Sequence, residues 1–252
     1  MLASATSVFA NHSWGKYHWE IAAAPLSLSI GDNLAAGAWD SYLSTANDNW
    51  NNLTPVLGNS IVAGAANNPI DCVPATGAVE VCASDYGNTG WLGIAGIWAT
   101  RGKDAHITRG YVKLNDFYYD ATPVGTGYNT ANDRLYVVCQ EVGHTFGLGH
   151  QDENFTNGNL DTCMDYTSTM TAAQTTPNAH DAEQLEAIYA HVHGGDTGGG
   201  GNGGGRGKPS AQGAVSSDWG RAIHSDPTGR ADVFELELPN GEVKVTHVTW
   251  AY

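Results

Sequence analysis

The period of the apolar positions changes several times along the chain, and each change marks an element. Residues 14–24 (WGKYHWEIAAA) alternate enough to predict a first strand. Residues 33–53 are rich in alanine and place Trp39, Leu43 and Trp50 for one face of a helix, which Pro55 and Gly58 end. Two short apolar runs, 59–64 and 91–100, predict buried strands, and the alternation over 105–115 predicts another. The Gly- and Asn-rich stretches between them read as loops. Residues 130–146 predict a helix that opens on Thr130 with Asp133 as a capping-box variant and ends at Gly147 in a left-handed conformation. A last helix is predicted over 177–192, with Thr176 as N-cap and Pro177 at the first helical position.

After that helix the pattern stops. Residues 194–213 (GGDTGGGGNGGGRGKPSAQG) carry almost nothing that can enter a core and read as a flexible linker. Beyond them, VFELEL and VKVTHVTW alternate on either side of Asn240-Gly241, which predicts a small hairpin. The tail is too short for a confident core of its own, so it either docks on the main domain or forms a marginal accessory module. The expected organisation is an N-terminal extension (1–14), a main domain (15–193), the linker (194–213) and a small β-rich tail (214–252).

Charge and cysteines narrow the function classes. Eleven Lys and Arg oppose 26 Asp and Glu, for a formal net charge of −15, which argues against nucleic acid as a partner. No apolar run reaches the roughly 18 residues of a membrane span, and the start MLASATSVFA lacks the basic segment of an intact signal peptide. The four cysteines, Cys72, Cys82, Cys139 and Cys163, are an even set in an acidic chain and suggest two disulfides and a secreted protein. Of three pairings, Cys72–Cys82 with Cys139–Cys163 fits best; four free thiols in a reducing compartment are the alternative.

The chemistry concentrates in Cys139-Gln-Glu-Val-Gly-His-Thr-Phe-Gly-Leu-Gly-His150. At about 100° per residue, with Gln140 at 0°, His144 falls near about 40° and Glu141 near about 100°. Leu135, Val138, Cys139, Val142 and Phe146 gather on the opposite side, between about 160° and 260°. A bend at Gly147 would swing His150 back towards His144. Two imidazoles and one further side chain would leave one position of a tetrahedral zinc open for water, with Glu141 placed to take the proton.

Gln140-Glu141-x-x-His144-x-x-Gly147-x-x-His150 resembles the metzincin signature H-E-x-x-H-x-x-G-x-x-H, and Cys163-Met164-Asp165-Tyr166 resembles the Met-turn of that clan. Over residues 15–193 the order of elements is similar to that of matrixin-like bacterial proteases. The resemblance implies an α+β fold: a twisted mixed β-sheet with two helices in an upper subdomain, and the Met-turn with a C-terminal helix in a lower one. It further implies a secreted, monomeric zinc endopeptidase that hydrolyses internal peptide bonds of a protein or peptide substrate bound extended along an edge strand. Glu141 would be the general base for a metal-bound water, Tyr166 would stabilise the oxyanion, and Met164 would pack beneath the metal. A Cys139–Cys163 bridge would pin the active-site helix to the Met-turn.

One position departs from the signature: Gln140 stands where the first histidine ligand belongs. Gln140 ligates through its weaker oxygen, or Asp152 or His180 supplies the third ligand, or the site is degenerate and the protein is an inactive metzincin-like binding protein. The acidic loops leave room for a structural calcium, although no EF-hand spacing is present.

Overall fold

The computed structural model describes residues 12–34, 38–120, 127–190 and 218–252. Most of the expected N-terminal extension and the whole Gly-rich linker expected at 194–213 lie outside the described residues. The chain order is β1 (Tyr17–Trp19), β2 (Ser29–Asn33), α1 (Asp40–Leu53), β3 (Ser60–Ala63), β4 (Ala78–Ser84), β5 (Trp91–Ala99) and β6 (Ala105–Asn115). There follow α2 (Asp116–Tyr119), α3 (Ala131–Thr145), a 3-10 turn (Ala172–Thr175), α4 (Ala179–Ile188), β7 (Arg221–Ser225), β8 (Ala231–Glu237) and β9 (Val243–Trp250).

The architecture is α+β, with one large mixed sheet and four α-helices among the described residues. The strand order is β3-β2-β4-β6-β5-β9-β8-β7, and β1 pairs with β6 off that path. β1, β2, β3, β4 and β6 pair in parallel, whereas β5 runs antiparallel to both β6 and β9, and β9-β8-β7 is an antiparallel meander. α1 and α3 pack on each other, and α3 lies over β5 and β6. Trp39, Leu43 and Trp50 are fully buried, as the face of α1 predicts. Among the described residues no helix is long and apolar enough to cross a membrane.

α3 begins as the sequence indicates. Thr130 accepts from the Asp133 backbone N–H and the Asp133 carboxylate accepts from the Thr130 N–H, so two donors of the open first turn are satisfied. α4 starts later than predicted. Its N-cap is Asn178, not Thr176: the Asn178 side chain accepts from the His180 and Asp181 N–H groups, and Asp181 returns the bond. Pro177 therefore precedes the cap instead of following it. The first strand is confined to three residues, and β3 is largely exposed because it ends the sheet. β4 was hidden by Glu80, which interrupts an apolar run yet is buried, its carboxylate accepting from the Asn33 side chain and the Ala65 N–H.

The tail is part of the main sheet. β8 and β9 form the hairpin expected around Asn240-Gly241, and β9 inserts between β5 and β8 with Val245 and Val248 fully buried. Both expected disulfides are present, Cys72–Cys82 and Cys139–Cys163; the second ties α3 to the segment before Met164.

Candidate metal centre

The path from sequence to site starts with a glycine. Gly147 has φ +92°, a region that side chains with a Cβ rarely adopt, and a Cβ there would also overlap the Tyr17 carbonyl oxygen. The bend is fixed from the N-terminal side, where the Trp14 N–H donates to Gly147 O and the Gly149 N–H donates to His12 O, each at 2.6 Å. It returns the chain so that the His144 and His150 rings lie nearly perpendicular with centroids 4.8 Å apart. Met164 is fully buried under α3. A Cβ on Gly143 would come within 2.6 Å of both Met164 Sδ and the Trp50 ring, so this glycine permits the close packing of the helix on Met164.

A third imidazole completes the group, and it comes from the tail. His247 on β9 lies opposite Ala95 of β5 and Val233 of β8. Its ring centroid is 4.0 Å from that of His144 and 4.7 Å from that of His150. One nitrogen from each ring can be chosen so that all lie within 4.8 Å of one another.

The hydrogen bonds indicate which nitrogens are free. His144 Nδ1 pairs with Leu148 O at 2.8 Å, and His150 Nδ1 faces Glu153 Oε1 at 3.6 Å. His247 Nε2 contacts the Tyr166 hydroxyl at 3.4 Å. His144 Nε2, His150 Nε2 and His247 Nδ1 are buried without a hydrogen-bond partner, and so are both carboxylate oxygens of Glu141. Glu141 Oε2 is 3.7 Å from His247 Nδ1. A buried polar atom left unpaired costs about 1–3 kcal/mol, so three such nitrogens close together, with a carboxylate beside them, call for a ligand.

A divalent cation fits this set. Three imidazoles are a zinc donor set, and the partners of the opposite nitrogens fix the ring orientations. Burial, reinforced by the neighbouring imidazoles, holds the His144 and His150 pKa well below the ordinary value, which keeps each ring neutral with one nitrogen lone pair available. Tetrahedral zinc, with bonds of about 2.1 Å, needs nitrogens about 3.4 Å apart, so the rings would draw in by up to roughly 1 Å on loading.

The structure does not bring Gln140 into this group. Its Nε2 donates to the Tyr136 hydroxyl and to Cys163 O, each at 2.9 Å, and its Oε1 accepts from Thr249 Oγ1 at 2.8 Å. The amide thus bridges α3, the segment at Cys163 and β9. The other candidates for third ligand lie elsewhere: the Asp152 carboxylate accepts from Asn154 and Asn157, and His180 stacks on His12. Tyr166 is at the site, its ring 4.0 Å from that of His150, but its hydroxyl donates to Asp232 Oδ2 at 2.6 Å. One further group of this kind occurs among the described residues, Glu153–His224–Asp232; like the first it contains an imidazole and is not the all-oxygen set that calcium prefers.

No protein-family model matches this sequence, and no curated protein matches it.

The three imidazoles line one cavity of about 290 Å³, whose other walls include Trp14, Ile223 and Val233. Glu141, fully buried, lies one contact further in. A second cavity of about 170 Å³ lies past Tyr166, lined by aromatic residues that include Tyr136, Phe155 and Trp250. His247 was not singled out from the sequence because it lies beyond the linker and outside the signature. Its signal is faint: a histidine in the alternating run VKVTHVTW, in step with Val243 and Val245.

Proposed function

We propose that the protein is a secreted zinc-dependent endopeptidase of metzincin type, with the metal held by His144, His150 and His247 and with Glu141 as the general base. The observation that carries this is the convergence of three buried imidazoles, each with a nitrogen that has no hydrogen-bond partner, with the Glu141 carboxylate 3.7 Å from one of them. When bound there, zinc supplies Lewis acidity, polarising the scissile carbonyl and lowering the pKa of water towards about 7.

The chain's own residues supply the rest. Glu141 is free of competing hydrogen bonds, so it can accept a proton from the attacking water and return it to the leaving amine. The cavity beside the imidazoles admits the peptide, and the aromatic cavity past Tyr166 suits an apolar side chain. β5 is not a free edge, because β9 covers it; β7 ends the sheet, and its Ile223 and His224 face the cavity. An extended substrate is therefore expected along β7. Tyr166, engaged with Asp232, is reassigned from oxyanion binding to holding His247. The two disulfides support an oxidising, extracellular setting.

A non-catalytic protein in which the metal is a structural staple is the second reading, and the complete burial of Glu141 favours it. Metal analysis and a casein digest decide between the two. An endopeptidase holds one zinc per chain and cleaves casein, and it loses cleavage to a chelator and to Glu141→Ala. One zinc per chain with no cleavage supports the staple; no zinc in the folded protein defeats both.

A further inference from the structure

A chain of contacts leaves the metal centre through the tail and returns to it. His247 Nε2 meets the Tyr166 hydroxyl at 3.4 Å, and that hydroxyl donates to Asp232 Oδ2 at 2.6 Å. The other carboxylate oxygen, Oδ1, is 2.8 Å from His224 Nδ1. His224 Nε2 is 3.3 Å from Glu153 Oε2, and Glu153 Oε1 is 3.6 Å from His150 Nδ1. The circuit thus joins the non-ligating nitrogens of two of the three imidazoles, and its only fully buried carboxylate is Asp232 on β8.

We propose that Asp232 is the positioning residue of the metal centre, orienting His247 through Tyr166 and bracing His150 through His224 and Glu153. This rests on the assignment of His144, His150 and His247 as the metal ligands.

The proton positions follow from the acceptors. A carboxylate only accepts, so Tyr166 must spend its one proton on Asp232. Its oxygen then accepts from His247, which places the His247 proton on Nε2 and leaves Nδ1, the atom nearest Glu141, as the donor to a cation. His224 can donate from both nitrogens to its two carboxylates, so the Glu153–His224–Asp232 group is internally matched and needs no second metal. Asp232 is also where the tail matters chemically: β9 brings the third ligand and β8 brings the group that aims it.

The experiment measures zinc affinity of the folded metal-free protein by chelator competition, for wild type, Asp232→Ala, Asp232→Asn, Tyr166→Phe and His224→Gln. Losing a partner that orients a ligand weakens metal binding about 10- to 100-fold. That loss is expected for Asp232→Ala and Tyr166→Phe, with a smaller one for the half-exposed His224→Gln, which keeps the proposal testable if Asp232→Ala does not fold. Asparagine retains one acceptor and is expected to fall between wild type and alanine. In parallel, nitrogen NMR of the metal-free wild type should show His247 protonated at Nε2, and Tyr166→Phe should abolish that preference. A residue that merely supports the fold would lower thermal stability and leave both the affinity of the folded fraction and the tautomer unchanged; that result overturns the proposal, as does an Nδ1-protonated His247 in wild type. His247→Ala, measured alongside, separates the two levels: if it binds zinc as tightly as wild type, the ligand assignment itself has failed.

Discussion

Replacing His247 by alanine removes one imidazole from the centre and leaves every residue of the 140–150 segment unchanged in sequence. Four-ligand zinc sites bind with about 10–16 kcal/mol, or on the order of 3 kcal/mol per ligand. Loss of one ligand should therefore weaken zinc binding by about 100-fold or more. Some loss of fold stability accompanies it, since His247 is 1 % exposed and sits between β5 and β8. Affinity must therefore be read on the folded fraction, by chelator competition at a temperature well below unfolding. Gln140→Ala is the matched control. It removes three hydrogen bonds and leaves Cys163 O and the Thr249 hydroxyl short of a partner, a destabilisation of about 2–4 kcal/mol. Its zinc affinity should change by less than about 1 kcal/mol, under fivefold. Wild-type affinity in His247→Ala together with a large loss in Gln140→Ala would refute the assignment of the third ligand.

Other consequences are equally direct. Ending the chain before Gly194 removes β7, β8 and β9, uncovers the edge of β5 and deletes the buried Val245 and Val248, so a cooperative unfolding transition should be lost; an unchanged melting curve would show that the tail is dispensable. Gly147→Ala forces a Cβ into a left-handed backbone and against Tyr17, and should cost more than about 2 kcal/mol in denaturant unfolding as well as weakening zinc binding. Burial lifts the Asp165 pKa from 3.8 to about 6. The folded state then holds its proton where the unfolded state has lost it, so this group's contribution to stability falls as pH rises through that window. Asp165→Asn should consequently gain about 1–3 kcal/mol relative to wild type between pH 4 and pH 7 in urea titrations, and a pH-independent difference would contradict the shift.

Much of the architecture could be read from local pattern. The helix at 131–145, its capping box and its glycine stop depend on residues within one or two turns of each other, and α1 declared its buried face through three large side chains. β4 escaped because a buried Glu80 broke the apolar pattern, and its partners, Asn33 and Ala65, are distant in sequence. The site divided along the same line. Glu141, His144, Gly147 and His150 share one short segment, so helix geometry sufficed to bring them together. The third imidazole lies about a hundred residues away across a glycine-rich stretch, and only sheet pairing puts it there. The same pairing explains why Gln140 need not bind metal: Thr249, two residues beyond His247 on the same strand, already occupies its oxygen.

Anomalous-scattering density from crystals of the zinc-loaded protein tests the ligand set at atomic level. One zinc bonded to nitrogens of His144, His150 and His247 at about 2.0–2.1 Å, with Glu141 beside it and not bonded, is the expected result. A zinc bonded to the Gln140 amide oxygen, with His247 turned away, would contradict it.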